Sequence, residues 1–223
     1  MIRVIVASNA AHTVFPDQDV KAVLTYVRAV WDELKASVPR WWNERLETTL
    51  VSGLFAALKN DERQMAHGIG QLGKLVLEAV DVDIVAGMPK QRGRTDIRFL
   101  SNVAMGPDLV LEFKHLKNQS SALRAAYVKN GIDRFVTGKY SPESDFGVMV
   151  GLISGTATNE KLRLLKYLSR KQTVAKTGAK AMNFPAYGDP SSNAPALDFD
   201  TLHDRKPHCP AAQIRIGHML LER

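Results

Sequence analysis

The sequence contains a single cysteine, Cys209, among 223 residues. One thiol cannot form an intramolecular disulfide, so the core must hold the fold together, and a reducing compartment is the expected setting. No apolar run reaches the roughly 20 residues that a membrane-spanning helix needs. The first residues also lack the basic start, apolar stretch and cleavage site of a signal peptide. We therefore expect a cytoplasmic protein without a membrane segment.

The chain also lacks internal repeats and extended low-complexity tracts. With 45% hydrophobic residues it can bury a substantial core as one domain. What it has in excess is positive charge, with a formal net charge of +7 and a sequence pI of about 9.5. A basic surface attracts phosphate backbones, although many basic proteins bind no polyanion. Charge alone therefore makes a nucleic acid a reasonable partner but does not decide the matter.

Hydrophobic spacing predicts helices first and a mixture of strands and helices afterwards. Helices are expected over 17–37, 43–59, 61–80, 121–128 and 159–172. Strands are expected over 94–101, 109–116, 146–154 and 213–221, with a turn at 105–108 and a long loop over 178–210. This order predicts an α/β fold with a central mixed β-sheet flanked by helices. We divide it into an N-terminal helical extension (1–42), a catalytic core (43–177) and a loop with the final strand (178–223).

The segment LVLEFK contains two charged residues that are candidates for a functional site. Because side chains alternate along a strand, Glu112 and Lys114 share one face while Leu111 and Phe113 point into the core. The two charged residues could simply pair at a sheet surface. In RTDIRFLS, Asp96 lies on the opposite face from Ile97, so a hairpin between the two strands would bring Asp96 beside Glu112.

Two adjacent carboxylates repel each other and need a compensating cation. Oxygen ligands of this kind suit Mg²⁺ or Mn²⁺. In the second helix, Glu47 falls within the apolar arc and Glu44 at its edge, so one of them is a candidate third acid, with pairing to Arg or Lys as the alternative. Lys114 would then lie beside the metal and orient or help deprotonate an attacking water.

Asp96 followed by Glu112-Phe113-Lys114 resembles the D…(D/E)xK signature of the PD-(D/E)XK, or restriction-endonuclease-like, nuclease superfamily, over roughly 43–155. The sequence departs from the literal motif, because Thr95 and not proline precedes Asp96. Pro107-Asp108 supplies a "PD", but Asp108 would lie roughly 13 Å from Glu112 along the strand. Asp96 is therefore the preferred acid.

The resemblance implies a restriction-endonuclease-like core and metal-dependent hydrolysis of DNA. Metal ligands would be Asp96, Glu112, Glu47 and the Phe113 carbonyl, and the catalytic residues Asp96, Glu112, Lys114 and Glu47. The segment GIDRFVTGKY followed by GVMVGLISG is similar to nuclease-like proteins of this superfamily that are linked to defence against mobile DNA. By that similarity Gly131, Arg134, Gly138 and Tyr140 would shape the rim of the site.

Nucleic acid is expected to contact the segment that follows the motif. The candidate residues are Lys117, Lys129, Arg134, Lys139 and Tyr140. From the late loop, His203, Arg205 and His208 could also line the groove, whereas their spacing with Cys209 argues against structural zinc. An RNA-directed nuclease and a non-catalytic nucleic-acid-binding or assembly subunit remain open alternatives. A homodimer or a targeting partner subunit is also compatible with the sequence.

Overall fold

The computed structural model describes residues 18–77, 80–85, 88–94, 96–102, 108–117, 119–179, 188–191 and 193–223, with the backbone alone for 80–85 and 88–94. The helices are α1 (Gln18–Ser37), α2 (Glu47–Leu58), α3 (Asp61–Ala66), α4 (Ser121–Tyr127), α5 (Asp133–Val136), α6 (Ala157–Leu168) and α7 (Lys171–Thr177). A π-helical turn, Val128–Ile132, joins α4 to α5. None of the described helices is long and apolar enough to cross a lipid bilayer.

The strands are β1 (Gly73–Leu77), β2 (Val80–Val85), β3 (Met88–Arg94), β4 (Ile97–Ser101), β5 (Asp108–Lys117), β6 (Phe146–Ser154), β7 (Phe199–Asp204) and β8 (Gln213–Glu222). Six of them form a mixed sheet in the order β1-β4-β5-β6-β8-β7, and β2 pairs with β3 separately. The β5–β6 and β6–β8 pairs are parallel, whereas the β1–β4, β4–β5 and β7–β8 pairs are antiparallel. The predicted mixed α/β sheet with flanking helices is therefore confirmed.

Helices cover both faces of the sheet. On one face, the helical stripe of α1 and the buried side of α2 pack against the alternate β5 residues Leu111 and Phe113. On the other face, α4, the π turn, α5 and α6 pack against Val110 and Leu116 of β5 and Met149 and Ile153 of β6. The central strand β6 is buried almost throughout, as expected of a strand covered on both sides.

The third predicted helix is wrong beyond Ala66. Gly68 takes a left-handed conformation with φ of +69°. The N–H of Gly68 bonds to the carbonyl of Met65, and the N–H of Ile69 bonds to that of Gln64 at 2.8 Å. This is a Schellman ending, which satisfies the last carbonyls and stops the helix. The chain then turns and forms β1 at the edge of the sheet.

The long predicted loop is also partly wrong, because its later part forms β7. Thr201 and His203 of β7 are both buried, and their polar groups are hydrogen-bonded to each other. The segment 159–172, predicted as one helix, is divided into α6 and α7 at Ser169–Arg170. The second helix begins at Glu47 rather than at Asn43. The predicted turn at 105–108 lies mostly outside the described residues.

Candidate active site

The site forms where two neighbouring strands have different lengths. β4 begins at Ile97, which pairs with Leu111, whereas β5 continues for six residues past Leu111. The Phe113 and His115 N–H groups on that edge of β5 bond to side chains. Asp96 Oδ2 accepts from Phe113 N at 2.8 Å, and Glu47 Oε2 accepts from His115 N at 2.6 Å. The strand edge therefore fixes the positions of both acids.

Lys114 lies at the centre of these acids. Its Nζ is 2.9 Å from Glu112 Oε1, 3.1 Å from Glu47 Oε1 and 3.8 Å from Asp96 Oδ2. The same nitrogen donates a hydrogen bond to the carbonyl oxygen of Phe113. We call Glu47, Asp96, Glu112 and Lys114 the Lys114 cluster. The four oxygen groups assigned as metal ligands from the sequence thus surround one ammonium group.

Glu112 is the most deeply buried acid of the Lys114 cluster, with no exposed side-chain surface. Burial and, to a smaller extent, the charge of Asp96 together raise its pKa to about 7, although Lys114 opposes the shift. Its Oε1 accepts hydrogen bonds from Lys114 and Arg134, but its buried Oε2 has no partner among the described residues. An unpartnered buried carboxylate oxygen is costly unless a cation or solvent satisfies it.

The other charges in the Lys114 cluster respond to the same crowding. Burial raises the pKa of Asp96 above its usual value, and Lys114 and the Phe113 N–H oppose that shift. Burial alone would lower the pKa of Lys114, but Glu112, Asp96 and Glu47 together raise it. Lys114 is therefore a charged donor in this arrangement, and it offsets the repulsion between the acids.

Whether the cluster suits a divalent cation can be judged from its donors. Asp96, Glu112 and the Phe113 carbonyl converge from one strand end, and the unpartnered Glu112 oxygen fits a cation ligand. However, the described residues contain no group of three or more acidic, histidine or cysteine side chains close enough to hold a metal ion. Glu47 is engaged with Lys114 and the β5 backbone, and the ammonium occupies the space between the acids.

Arg134 and Tyr140 extend the Lys114 cluster toward α5. Arg134 Nη1 donates to Glu112 Oε1 at 3.0 Å and also to the Tyr140 hydroxyl. Tyr140 is only 1% exposed, so its side chain offers almost no surface to the nucleic acid that the sequence predicts it contacts. Burial raises its pKa, and the neighbouring Glu112 adds to the shift. Arg134 keeps 37% of its side chain exposed and remains able to reach a ligand.

The other residues that the sequence singled out differ in their distance from the Lys114 cluster. Gly131 lies in the π turn, where an added Cβ would be 3.8 Å from Lys114 Cγ and 2.3 Å from Met149 Cε. Lys117 and Lys139 are exposed, as a contact with nucleic acid requires. Glu44 is exposed in the loop before α2, so Glu47 is the helix acid in the Lys114 cluster. Asp108 pairs with Arg98 across the β4–β5 hairpin and lies outside the cluster.

The late-loop residues do not line a common groove. His203 is 1% exposed, and Arg205 donates to the carbonyls of Ser141 and Pro142. His208 is exposed, but its ring bonds to the carbonyl of Thr137. Sequence reasoning also missed a buried chain of hydrogen bonds that links α4, β8, β7 and α7. It runs through Tyr127, His218, Thr201, His203 and Thr177.

The direction of this buried chain follows from its last acceptor. The Thr177 carbonyl accepts only, so His203 Nδ1 carries the proton and His203 Nε2 accepts from Thr201. Thr201 then accepts from His218 Nε2, and His218 Nδ1 accepts from the Tyr127 hydroxyl. Both histidines are neutral in this arrangement. In agreement, burial lowers the pKa of His203 to about 4 and that of His218 well below its usual value.

No family model matches the chain, and no similar curated protein or solved structure was found. The role of the Lys114 cluster must therefore be inferred from its own geometry.

Proposed function

We propose that the protein is a metal-dependent nuclease that hydrolyses phosphodiester bonds of DNA at the Lys114 cluster. The observation that supports this most is the convergence of three carboxylates and a backbone carbonyl on one ammonium at the end of β5. A surface ion pair would need one acid for one lysine. The three acids face two cations, Lys114 and Arg134, so one negative charge remains when all three acids are ionised, which favours a further cation.

Asp96 and Glu112, with the Phe113 carbonyl, would hold Mg²⁺ or Mn²⁺. When bound, the ion would polarise the phosphate and lower the pKa of a coordinated water. Glu47 would position Lys114 through its 3.1 Å contact with Nζ and anchor β5 through His115. Lys114 would orient the attacking water and stabilise the charge that develops on phosphate. Arg134, held by Tyr140, would bind a non-bridging phosphate oxygen.

The decisive experiment is cleavage of plasmid DNA with Mg²⁺ or Mn²⁺, with single-stranded DNA and RNA in parallel. We expect wild-type protein to cut DNA and Asp96→Ala and Lys114→Ala to lose at least 100-fold in rate, as is common for electrostatic catalytic groups. Asp108→Asn is the matched control, because Asp108 is an ion-paired acid on the same strand outside the cluster.

Three results would contradict the proposal in different ways. Equal cleavage by wild type and both variants would exclude the Lys114 cluster as the active site. Loss of activity in Asp108→Asn with retention in Asp96→Ala would move the site to the Pro107-Asp108 motif. Salt-sensitive DNA binding without cleavage under either metal would indicate a non-catalytic nucleic-acid-binding subunit.

A further inference from the structure

A second basic surface lies on the outer side of the π turn, apart from the Lys114 cluster. Between Ala157 and Gly178 the chain carries six basic residues and one acid. That acid, Glu160, is completely buried and pairs with Arg124 on α4 at 2.7 Å. The solvent-facing side of α6 and α7 therefore presents positive charge without acidic compensation from these helices.

This surface contains a groove between the π turn, α6 and α7. The groove encloses about 400 Å³. Its lining includes Lys129, Asn130, Tyr167, Gln172 and Lys176. We call these five residues the basic groove. Both lysines are exposed, and in the described part of the chain neither forms an ion pair.

We propose that the basic groove binds the phosphodiester backbone of a nucleic-acid strand. Two unpaired ammonium groups at a concave surface suit successive phosphates. The amides of Asn130 and Gln172 can bond to sugars or base edges. Tyr167 supplies an aromatic ring, and the Arg170 guanidinium lies 4.7 Å from its centroid.

An anionic membrane fits this surface less well. Membrane-surface helices present a continuous apolar face to the lipid. Among the residues of α6, all of which the structure describes, Leu162 is the one large hydrophobic residue that is strongly exposed. The concave shape and the polar amides instead match an extended polyanion.

The π turn contributes residues both to the basic groove and to the surroundings of the Lys114 cluster. Val128, Lys129 and Asn130 line the groove, while Gly131 of the same turn packs against Met149 and Lys114. Binding does not depend on cleavage, so this inference goes beyond the proposed nuclease activity and can fail or hold independently of it.

The test is fluorescence anisotropy with labelled oligonucleotides in EDTA, using single-stranded DNA, duplex DNA and single-stranded RNA. The groove variant is Lys129→Gln with Lys176→Gln. The charge-matched control is Lys59→Gln with Lys74→Gln, two exposed lysines at α2 and the β1 edge strand. Thermal unfolding by circular dichroism should show that both variants remain folded.

We expect the groove variant to bind roughly tenfold or more weakly at about 0.1 M salt, and the slope of log affinity against log salt to fall by about 2. The control should stay within about twofold of wild type, and Lys114→Ala should keep its binding. Equal losses in the two double variants, or no loss in the groove variant, would overturn the proposal. So would binding to vesicles containing phosphatidylserine in preference to every oligonucleotide.

Discussion

Asp96 accepts the backbone N–H of Phe113 at 2.8 Å, next to the last residue pair between β4 and β5. The acid is therefore fixed to the neighbouring strand and does not move freely in a loop. Its carboxylate also lies 3.8 Å from Lys114, so one side chain contributes both to the sheet edge and to the Lys114 cluster.

Two substitutions at Asp96 separate these contributions. Asp96→Asn keeps an oxygen that can accept the Phe113 N–H, whereas Asp96→Ala removes it. We expect both variants to lose DNA cleavage, but only Asp96→Ala to lose about 1–2 kcal/mol of unfolding free energy. Urea denaturation and the plasmid assay measure the two quantities. Full activity in Asp96→Asn would show that the carboxylate charge is not needed.

The position of Lys114 makes an unusual prediction for metal affinity. Its ammonium contacts the oxygens that would hold a divalent ion, so the two cations compete for them. Lys114→Ala should therefore bind Mn²⁺ more tightly, by roughly tenfold or about 1.4 kcal/mol, while cleavage is lost. Calorimetric titration measures the affinity, and Lys117→Ala, an exposed lysine on the same strand, is the control. Weaker Mn²⁺ binding in Lys114→Ala would contradict the competition.

Tyr140 should affect catalysis without affecting DNA binding. Its hydroxyl holds Arg134, which also bonds to Glu112, and its ring is buried against Phe135. In Tyr140→Phe the ring remains but Arg134 loses one of its two acceptors, so we expect the cleavage rate to fall by roughly tenfold, as for a group that positions a catalytic side chain. DNA affinity measured in EDTA should be unchanged. A marked loss of affinity would instead show that Tyr140, or the Arg134 that it holds, contributes to DNA binding.

The buried histidine chain predicts how stability depends on pH. The folded-state pKa of His203 is about 4, against an ordinary value near 6.5. Between these two pKa values the unfolded chain therefore binds more protons than the folded protein. The contribution of His203 to the free energy of unfolding is complete above about pH 6.5 and is lost as the pH falls toward 4. For this histidine alone the loss is about 2 kcal/mol between about pH 7.5 and 5.

Whole-protein stability does not isolate this effect, because Glu112 acts in the opposite sense. Its pKa is raised to about 7, so burial of its charged form lowers stability as pH rises from about 4.5 to 7. The comparison is therefore between wild type and His203→Leu, whose unfolding free energy should depend less steeply on acid pH. NMR of the ring protons gives a second measurement if the variant does not fold. Titration of either buried ring near pH 6.5 would contradict the assignment.

Local patterns predicted the parts of the Lys114 cluster that lie on single elements. Alternation along β5 correctly separated Glu112 and Lys114 from Leu111 and Phe113, because apolar and polar faces are explicit in such a strand. The hairpin argument correctly brought Asp96 beside Glu112. Periodicity also placed Glu47 near the site as a candidate third acid and left pairing with Arg or Lys as the alternative. The structure shows an acid at the first turn of α2 that bonds to Lys114 and to the β5 backbone.

The predictions that differ from the structure have one physical cause: polar residues are buried by partners that are distant along the chain. Thr201 and His203 look like loop residues in sequence, and only their partners on β8 and α7 make β7 a buried strand. Tyr140 follows Gly138 and Lys139 and resembles an exposed rim residue, yet Arg134 and Phe135 enclose it. Hydrogen-bond partners so distant along the chain leave no periodic signal.

The unequal lengths of β4 and β5 have a consequence for solubility. Beyond Leu111, the N–H groups on the β5 edge bond to the side-chain oxygens of Asp96 and Glu47 instead of to another strand. Charged side chains on such an edge discourage strand addition from a second molecule. Replacing both acids with alanine would therefore remove more than the chemistry of the site, because the N–H groups of Phe113 and His115 would lose their acceptors. The exposed edge would be a template for intermolecular sheet growth, and the doubly substituted chain should tend to aggregate.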